Sequence, residues 1–428
     1  MMMGLYEKIT GCSYSVIRPL LEMWSRMEGN EGMWRGRIGH VADHVLSAAP
    51  YDIWLQAVSV GEVAVAEALI HALDKKMSGL KIIVSSSTPA GFGRAVSSLG
   101  SRCCVIPYPL DFPQVVRSIT GRLRPRVYAC LETELWPNFI SSARRVGTRT
   151  VLLNGRISAA SFPRYSKLCS IVRPMLAGFS QVCAISEVHA RRLKALGANP
   201  DRIVITGNAK FEGLLEMSDP VKVSTIRDQL DLKDSDKVFV AGSIRSGEEK
   251  AMVSVCMDLL SYDPETVVFL VPRHMERMRS IGNVLRKNGV AFQFWSEFDC
   301  SGKRTANVMI VDVIGMLFHL YGLAEAAFVG GSLVPKGGQN LLEPAAWSCP
   351  VLYGPHTEHF EEARMALEQY GGGRTVRDSS ELAEMVSRLF QQRPARNDMG
   401  ARARSALESL AHGAATRQAE TLLRELKS

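Results

Sequence analysis

The residues of this chain that are able to do chemistry sit in short turns, each directly after an apolar, β-rich run. Asn340 and Glu343 open a helix behind the glycine-rich stretches Ala327-Phe328-Val329-Gly330-Gly331-Ser332 and Gly337-Gly338-Gln339. Three residues apart, they share one face of a first helical turn, where a carboxylate suits ribose hydroxyls and free amides suit phosphate. A strand, a glycine loop and a helix start make the layout of a nucleotide site, and equally that of a turn that merely begins a core helix. Glu62 lies in Ser59-Val60-Gly61-Glu62-Val63, where Gly61 permits a tight strand-to-helix turn. Its carboxylate can take a proton from a hydroxyl, or simply favour the helix dipole. Glu132 and Glu134, in Leu131-Glu132-Thr133-Glu134-Leu135-Trp136-Pro137, are charges at the end of an apolar strand. They organise a site or cap the helix that Pro137 starts; Glu132 is assigned the site role and Glu134 the cap or a supporting one. Lys210, in Gly207-Asn208-Ala209-Lys210-Phe211, offers an ammonium to an anionic group or is a surface lysine in a hinge. Arg273, in Val271-Pro272-Arg273-His274, can fork onto a phosphate or carboxylate, and Ser243, after Ala241-Gly242, can hydrogen-bond a phosphate. Ile314-Gly315-Met316 presents backbone groups where a flat base can lie.

Such turns need rigid elements behind them. After residue 50, strands are predicted at Ile53–Val58, Lys81–Ser85, Cys103–Ile106, Val127–Leu131, Thr150–Leu153 and Gln181–Ala184, each followed by a helix-like stretch. Residues 212–236 are polar and irregular, and the alternation resumes at Val238–Ala241, Val267–Val271, Ala291–Phe294, Val308–Val311, Ala326–Val329 and Val351–Leu352. Strands alternating with helices mean right-handed crossovers and parallel sheets covered on both faces. At 428 residues the chain is too long for one core. It reads as α/β, with two doubly wound, Rossmann-like domains at residues 39–214 and 237–428 facing across a cleft, the second carrying the C-terminal helices. Residues 215–236 read as a linker and 1–38 as a helical, membrane-surface or domain-packing segment.

Composition narrows the class. Hydrophobic content of 46% with 22% charged residues is that of a globular protein, and no stretch reaches the ~18 apolar residues of a membrane span. Nine cysteines without a C-x-x-C pair read as reduced and cytosolic. Residues 1–210 hold 26 Lys and Arg against 14 Asp and Glu, whereas the remainder holds 25 against 29. That asymmetry points the first half to an anionic partner, or to a solvated basic face. Leu5, Ile9, Val16, Leu20, Met23, Trp24 and Met27 recur at broadly helical intervals, with Arg26, Trp34, Arg35 and Arg37 nearby. They fit a helix packing on the first domain, and also an interfacial helix. Two metal-like patterns are rejected: Asp234-Ser235-Asp236 is an ordinary acidic turn before a strand, and His356 with His359 lacks a third ligand.

Taken in order, Ser59-Val60-Gly61-Glu62, Glu132-Thr133-Glu134-Leu135-Trp136-Pro137, Gly207-Asn208-Ala209-Lys210-Phe211, Pro272-Arg273-His274, Phe328-Val329-Gly330-Gly331-Ser332-Leu333-Val334 and Gly338-Gln339-Asn340-Leu341-Leu342-Glu343-Pro344 resemble the 3-deoxy-D-manno-octulosonic acid (Kdo) transferases of lipopolysaccharide synthesis, glycosyltransferase family 30. Gly354-Pro355-His356-Thr357 adds to the match, and six motifs jointly placed are far more specific than one. The resemblance implies a GT-B enzyme that moves Kdo from CMP-Kdo to lipid IVA, a lipid A precursor, with inversion and with neither metal nor cofactor. It places that enzyme at the cytoplasmic face of the inner membrane. It implies Glu62 as general base and Glu132 and Lys210 as stabilisers of the transition state. Pro272, Arg273, Ile314, Gly315, Met316, Asn340, Leu341, Leu342 and Glu343 match the CMP site, which Ser243 joins as a phosphate contact.

Three positions depart from the family pattern. Many members have Met-Gly-Glu where this chain has Ile314-Gly315-Met316, Gln339 replaces a frequent histidine, and residues 1–38 are too polar for the apolar anchor helix common in the family. Peripheral membrane attachment follows. The competing readings are another GT-B transferase or epimerase that uses a uridine nucleotide, and a silent protein that docks on anionic lipid or nucleic acid. Glu62 argues against silence, and the lack of aromatic residues interleaved with basic ones argues against nucleic acid.

Overall fold

A computed structural model describes residues 2–25, 31–159, 161–233, 235–411 and 413–427; Arg26, Met27 and Asp234 lie outside the described residues. The chain divides into two compact units, Met1–Gly213 with Ala411–Ser428, and Leu214–Leu410. Among the described residues each unit is built on a seven-stranded parallel sheet. Apolar runs such as Val127–Leu131 form its strands because a parallel strand covered on both faces has no side that water can reach; all five of these residues are buried.

The first sheet holds β1 (Ile53–Gln56), β2 (Ile82–Ser86), β3 (Cys104–Pro107), β4 (Val127–Leu131), β5 (Arg149–Gly155), β6 (Gln181–Ala184) and β7 (Ile203–Ile205) in the order β3-β2-β1-β4-β5-β6-β7. The second holds β8 (Val238–Ile244), β9 (Val267–Pro272), β10 (Phe292–Phe294), β11 (Val308–Ile310), β12 (Ala326–Val329), β13 (Val351–Tyr353) and β14 (Gly373–Thr375) in the order β10-β11-β9-β8-β12-β13-β14. The chain therefore reverses its direction of travel between β1 and β4, and again between β8 and β12. At such a switch point the loops leave toward opposite faces and open a crevice at the carboxyl ends of the strands. Glu62 and Glu132 follow β1 and β4; Ser243 and Gly330 end or follow β8 and β12.

Three expectations need correction. Edge strands β7 and β14 are absent from the sequence prediction, since each is three residues long and Gly373-Arg374-Thr375 has no apolar signature; its pairing with Val351–Tyr353 makes it a strand. Residues 215–236 are not an irregular linker. Asp219 accepts from the Val221 and Lys222 N–H groups (3.0 and 3.2 Å) and caps the helix Pro220–Gln229, whose Ile226, with Leu230 and Leu232 beyond it, enters the core of the second unit. The final helix, Ala414–Lys427, packs Ala415, Ala419, Leu422 and Leu426 into the core of the first unit, although the sequence pattern assigns it to the second.

The N-terminal helix Met2–Ser25 packs on the first unit through Met3, Tyr14 and Leu21 together with polar contacts from Glu7 and Thr10. Arg145 donates to both carboxylate oxygens of Glu7 at 2.9 Å, Arg117 also pairs with Glu7, and Asn138 Nδ2 donates to Thr10 Oγ1 at 2.9 Å. The predicted apolar stripe points the other way: Leu5, Ile9, Val16, Leu20, Met23 and Trp24 are all exposed, Val16 by 77%. Among the described residues no helix is long and apolar enough to cross a membrane.

Asp111, in the loop after β3, ties this helix to the helix Pro137–Arg145. Its Oδ1 accepts from Phe139 N at 2.8 Å, and its Oδ2 from Asn138 N at 3.1 Å and from the Tyr6 hydroxyl at 3.2 Å. It thereby caps the helix Pro137–Arg145. Asp111→Ala is expected to destabilise the first unit by about 1–2 kcal/mol and to lower its Tm by a few degrees; an unchanged thermal melt would refute the cap.

Candidate functional site

Ser59 is the N-cap of the helix Val60–Lys76, accepting from Glu62 N at 3.4 Å, while Glu62 folds back so that its Oε2 accepts from Val58 N at 2.8 Å and its Oε1 from Ser59 Oγ at 3.2 Å. This is a variant of the reciprocal serine and glutamate capping box. It leaves Glu62 only 8% exposed at the switch point. Burial pushes its carboxyl up from 4.5 to about 7; the Val58 N–H opposes the rise, and the charges of Glu132 and Glu134 add to it. Helix capping and a carboxyl lifted toward neutrality by burial thus reside in one side chain.

Glu132 leaves the end of β4 with φ +55°, a left-handed backbone that costs a non-glycine residue roughly 1 kcal/mol. Its N–H donates to Leu153 O at 2.9 Å, and its carboxylate lies 3.8 Å from Arg156. Burial raises the Glu134 carboxyl, with the Trp136 indole opposing and Glu132 adding. Glu134 does not cap the following helix, because Asp111 does; its charge instead reaches Glu62. Lys210 stands beside the same turn: a Cβ added to Gly61 would lie 3.4 Å from its Nζ. The first unit therefore gathers Glu62, Glu132, Glu134 and Lys210 around one switch point.

In the second unit Ser243 has φ +54° where the pairing of β8 with β9 shifts register between Ala241 and Ile244. Gly242 is obligatory, since a Cβ there would meet the Tyr321 hydroxyl at 1.9 Å. Arg273 N–H donates to Ile244 O at 2.9 Å, bringing the exposed Arg273 and the buried Pro272 beside the end of β8. Asn340 Nδ2 donates to Glu343 Oε1 at 3.3 Å, so the predicted shared face exists. The helix itself begins two residues later, at Leu342, and lasts four residues. Leu341 and Leu342 are core side chains, 0% exposed, and can offer a ligand only backbone. Met316 also packs against the core, while Ile314 is 90% exposed and Gly315 turns the chain at φ +92°.

The glycine loop before that helix start is organised by a residue that sequence reasoning missed. Glu248, fully buried, accepts from Arg245 N (2.9 Å), Gly331 N (2.7 Å), Ser332 N (3.0 Å) and Leu333 N (3.0 Å). Leu342 N is engaged by Asn340 Oδ1 at 3.2 Å. The backbone N–H groups of Gly331, Ser332 and Leu333 are thus held by a protein carboxylate. The sequence signal is the pair Glu248-Glu249 after Gly247, which reads as an ordinary acidic helix start. His356 faces Glu358 at 3.4 Å, and among the described residues no group of three or more His, Cys, Asp or Glu has metal-holding geometry.

A family model for 3-deoxy-D-manno-octulosonic-acid transferase (kdotransferase) matches residues 32–213. The 3-deoxy-D-manno-octulosonic acid transferase of Haemophilus influenzae is 32% identical over 354 residues, covering 82% of each chain. A bifunctional glycosyltransferase/methyltransferase of Fusobacterium nucleatum is 32% identical over 346 residues, which span 80% of this chain but only 53% of that protein. The crystal structure of UDP-GlcNAc 2-epimerase from Neisseria meningitidis bound to UDP-GlcNAc superposes with a TM-score of 0.64 at 15% identity, over 87% of this chain and all of that one. This last likeness is one of fold, the paired doubly wound units of the GT-B class.

Carboxyl NMR is expected to show Glu62 titrating near pH 7, with Glu134→Gln lowering that midpoint. The folded state holds this proton more tightly than the unfolded chain, so the stability it contributes is present below the ordinary value of 4.5 and lost as pH rises through about 7. A midpoint in the ordinary carboxylate range would remove Glu62 as a proton acceptor.

Proposed function

The chain belongs to the 3-deoxy-D-manno-octulosonic acid transferase family, a family of glycosyltransferases, and we propose that it moves Kdo from CMP-Kdo to lipid IVA with inversion and without a metal ion. The observation that carries this reading is Glu62, a buried carboxyl with a pKa of about 7 at a switch point, beside the ammonium of Lys210. Glu62 takes the proton of an acceptor sugar hydroxyl as that oxygen bonds to the anomeric carbon of Kdo, and the bond from that carbon to the CMP phosphate oxygen breaks with its electron pair leaving on CMP. Glu132 supplies negative charge to the positive character that grows at the anomeric carbon, and Lys210 supplies positive charge to the anionic groups of the reactants. CMP departs readily as a phosphate monoester, which is why no metal is needed.

In the second unit Glu343, oriented by Asn340, receives the ribose hydroxyls. Arg273 and Ser243 meet the phosphate, and the backbone around Ile314, Gly315 and Met316 lies against the base, with Pro272, Leu341 and Leu342 shaping the walls. The excess of Lys and Arg in residues 1–210 suits a phosphorylated lipid acceptor. The exposed face of the helix Met2–Ser25 suits attachment to the membrane surface, on the cytoplasmic side where CMP-Kdo is available.

The deciding experiment supplies CMP-Kdo and lipid IVA with a chelator present and reads product mass. A gain of one or more Kdo units is expected; no product, with UDP displacing bound CMP, would favour a uridine-nucleotide enzyme. Glu62→Ala should lower kcat by about 10²–10⁴-fold and leave CMP binding intact, because the base lies on the acceptor side. A comparable loss of CMP affinity would argue against that role. Val16→Asp with Leu20→Asp should weaken sedimentation with anionic vesicles by about tenfold or more, since each apolar side chain withheld from the bilayer forfeits roughly 1.5–3 kcal/mol, while Tm stays unchanged. Undiminished sedimentation would move the attachment to another surface.

A further inference from the structure

The helix Ala414–Lys427 packs on the first unit with an apolar face, Ala415, Ala419, Leu422 and Leu426, interrupted by one amide, Gln418, which is 0% exposed. A buried amide costs stability wherever a hydrogen bond goes unmade, and here the Oε1 of Gln418 has no partner among the described residues, so its Nε2 bonds carry the whole interaction. Gln418 Nε2 lies within reach of Thr206 Oγ1 at 3.2 Å, Gly207 O at 3.3 Å and Asn154 Oδ1 at 3.5 Å. Its neighbour Arg417 donates from Nε and Nη2 to Thr206 O at 3.0 and 2.6 Å. These targets all belong to the segment that leads into Lys210, or to the side chain that holds it.

The rest of that segment is pinned in the same way. Asn154, at φ +52° near the end of β5, accepts from Ala209 N at 3.0 Å and donates from Nδ2 to Asn208 Oδ1 at 3.2 Å. Asn208 Oδ1 also accepts from Lys210 N at 3.1 Å. In return Glu212, one half-turn beyond Lys210, accepts from Ala415 N at 2.6 Å and so caps the last helix. Asn154, Thr206 and Asn208 are each 4% exposed or less, so water does not substitute for these partners.

We propose that Gln418 and Arg417 are positioning residues for Lys210, acting through residues 206–209 and Asn154, so that turnover depends on the last helix of the chain; this rests on the transition-state role given to Lys210 above. No covalent step involves them. Their effect is to fix the root of a long, flexible side chain whose ammonium must stand beside the turn that carries Glu62.

The test is a double-substitution cycle on the full chain, with Gln418→Met, which keeps volume and removes the donor, Lys210→Ala, and the pair. Gln418→Met is expected to lower kcat by about tenfold or more, with CMP affinity unchanged. In the Lys210→Ala background the same change should alter kcat by less than about twofold, the non-additivity of residues acting as a unit. Equal losses in both backgrounds would overturn the proposal and leave Gln418 a stability residue. Wild-type turnover by Lys210→Ala would instead strike the role of Lys210 and this proposal with it. If Gln418→Met does not fold, Arg417→Met runs the same cycle: a loss confined to the Lys210 background supports the proposal, and equal losses in both overturn it.

Discussion

A parallel sheet covered on both faces can present polar atoms only at its ends, and this constraint governs where everything else in the molecule lies. The strands are apolar because both sides are buried; any side chain that must meet water or a ligand is displaced to the loops at the carboxyl ends. Each sheet has one place where those loops part. The residues assigned to chemistry crowd there: Glu62 and Glu132 after β1 and β4, Ser243 and the Gly330 loop at β8 and β12.

The two buried carboxylates at these points show how partners decide what a charge does. Glu248 has its lone pairs filled by four backbone N–H groups and so fixes a loop. Glu62 has one backbone donor and one hydroxyl; burial pushes its carboxyl up, and the charges of Glu132 and Glu134 add to the rise. Ser59 supplies the formal cap of this helix, so the Glu62 carboxyl is not its only N-terminal partner.

Much of the fold was legible because continuous apolar runs are hard to place anywhere but in buried strands. What escaped was set by partners distant in sequence. Asp111 caps a helix whose own neighbours, Glu134 included, look like better candidates. Gly373-Arg374-Thr375 is a strand only because β13 lies beside it. The helix Pro220–Gln229 did carry a local signature, Asp219 before Pro220, hidden within an otherwise polar stretch. The apolar stripe of the first helix was visible, but its direction was not, since a polar face can be the buried one when Glu7 and Thr10 find partners. At the candidate site the chemical groups could be read off the turns, whereas Glu248 could not, because nothing local tells a buried acid from an exposed one.

The return of residues 411–428 to the first unit has a consequence for how the protein is made. On the ribosome the first two hundred residues emerge without Ala415, Ala419, Leu422 and Leu426, which complete the layer over the helix Val60–Lys76. That layer stays open, with apolar surface facing solvent, until residues 415–426 are translated, while the whole of Leu214–Leu410 is already available to fold. The core around the helix Val60–Lys76 is therefore begun before residues 214–410 are made and closed only after them.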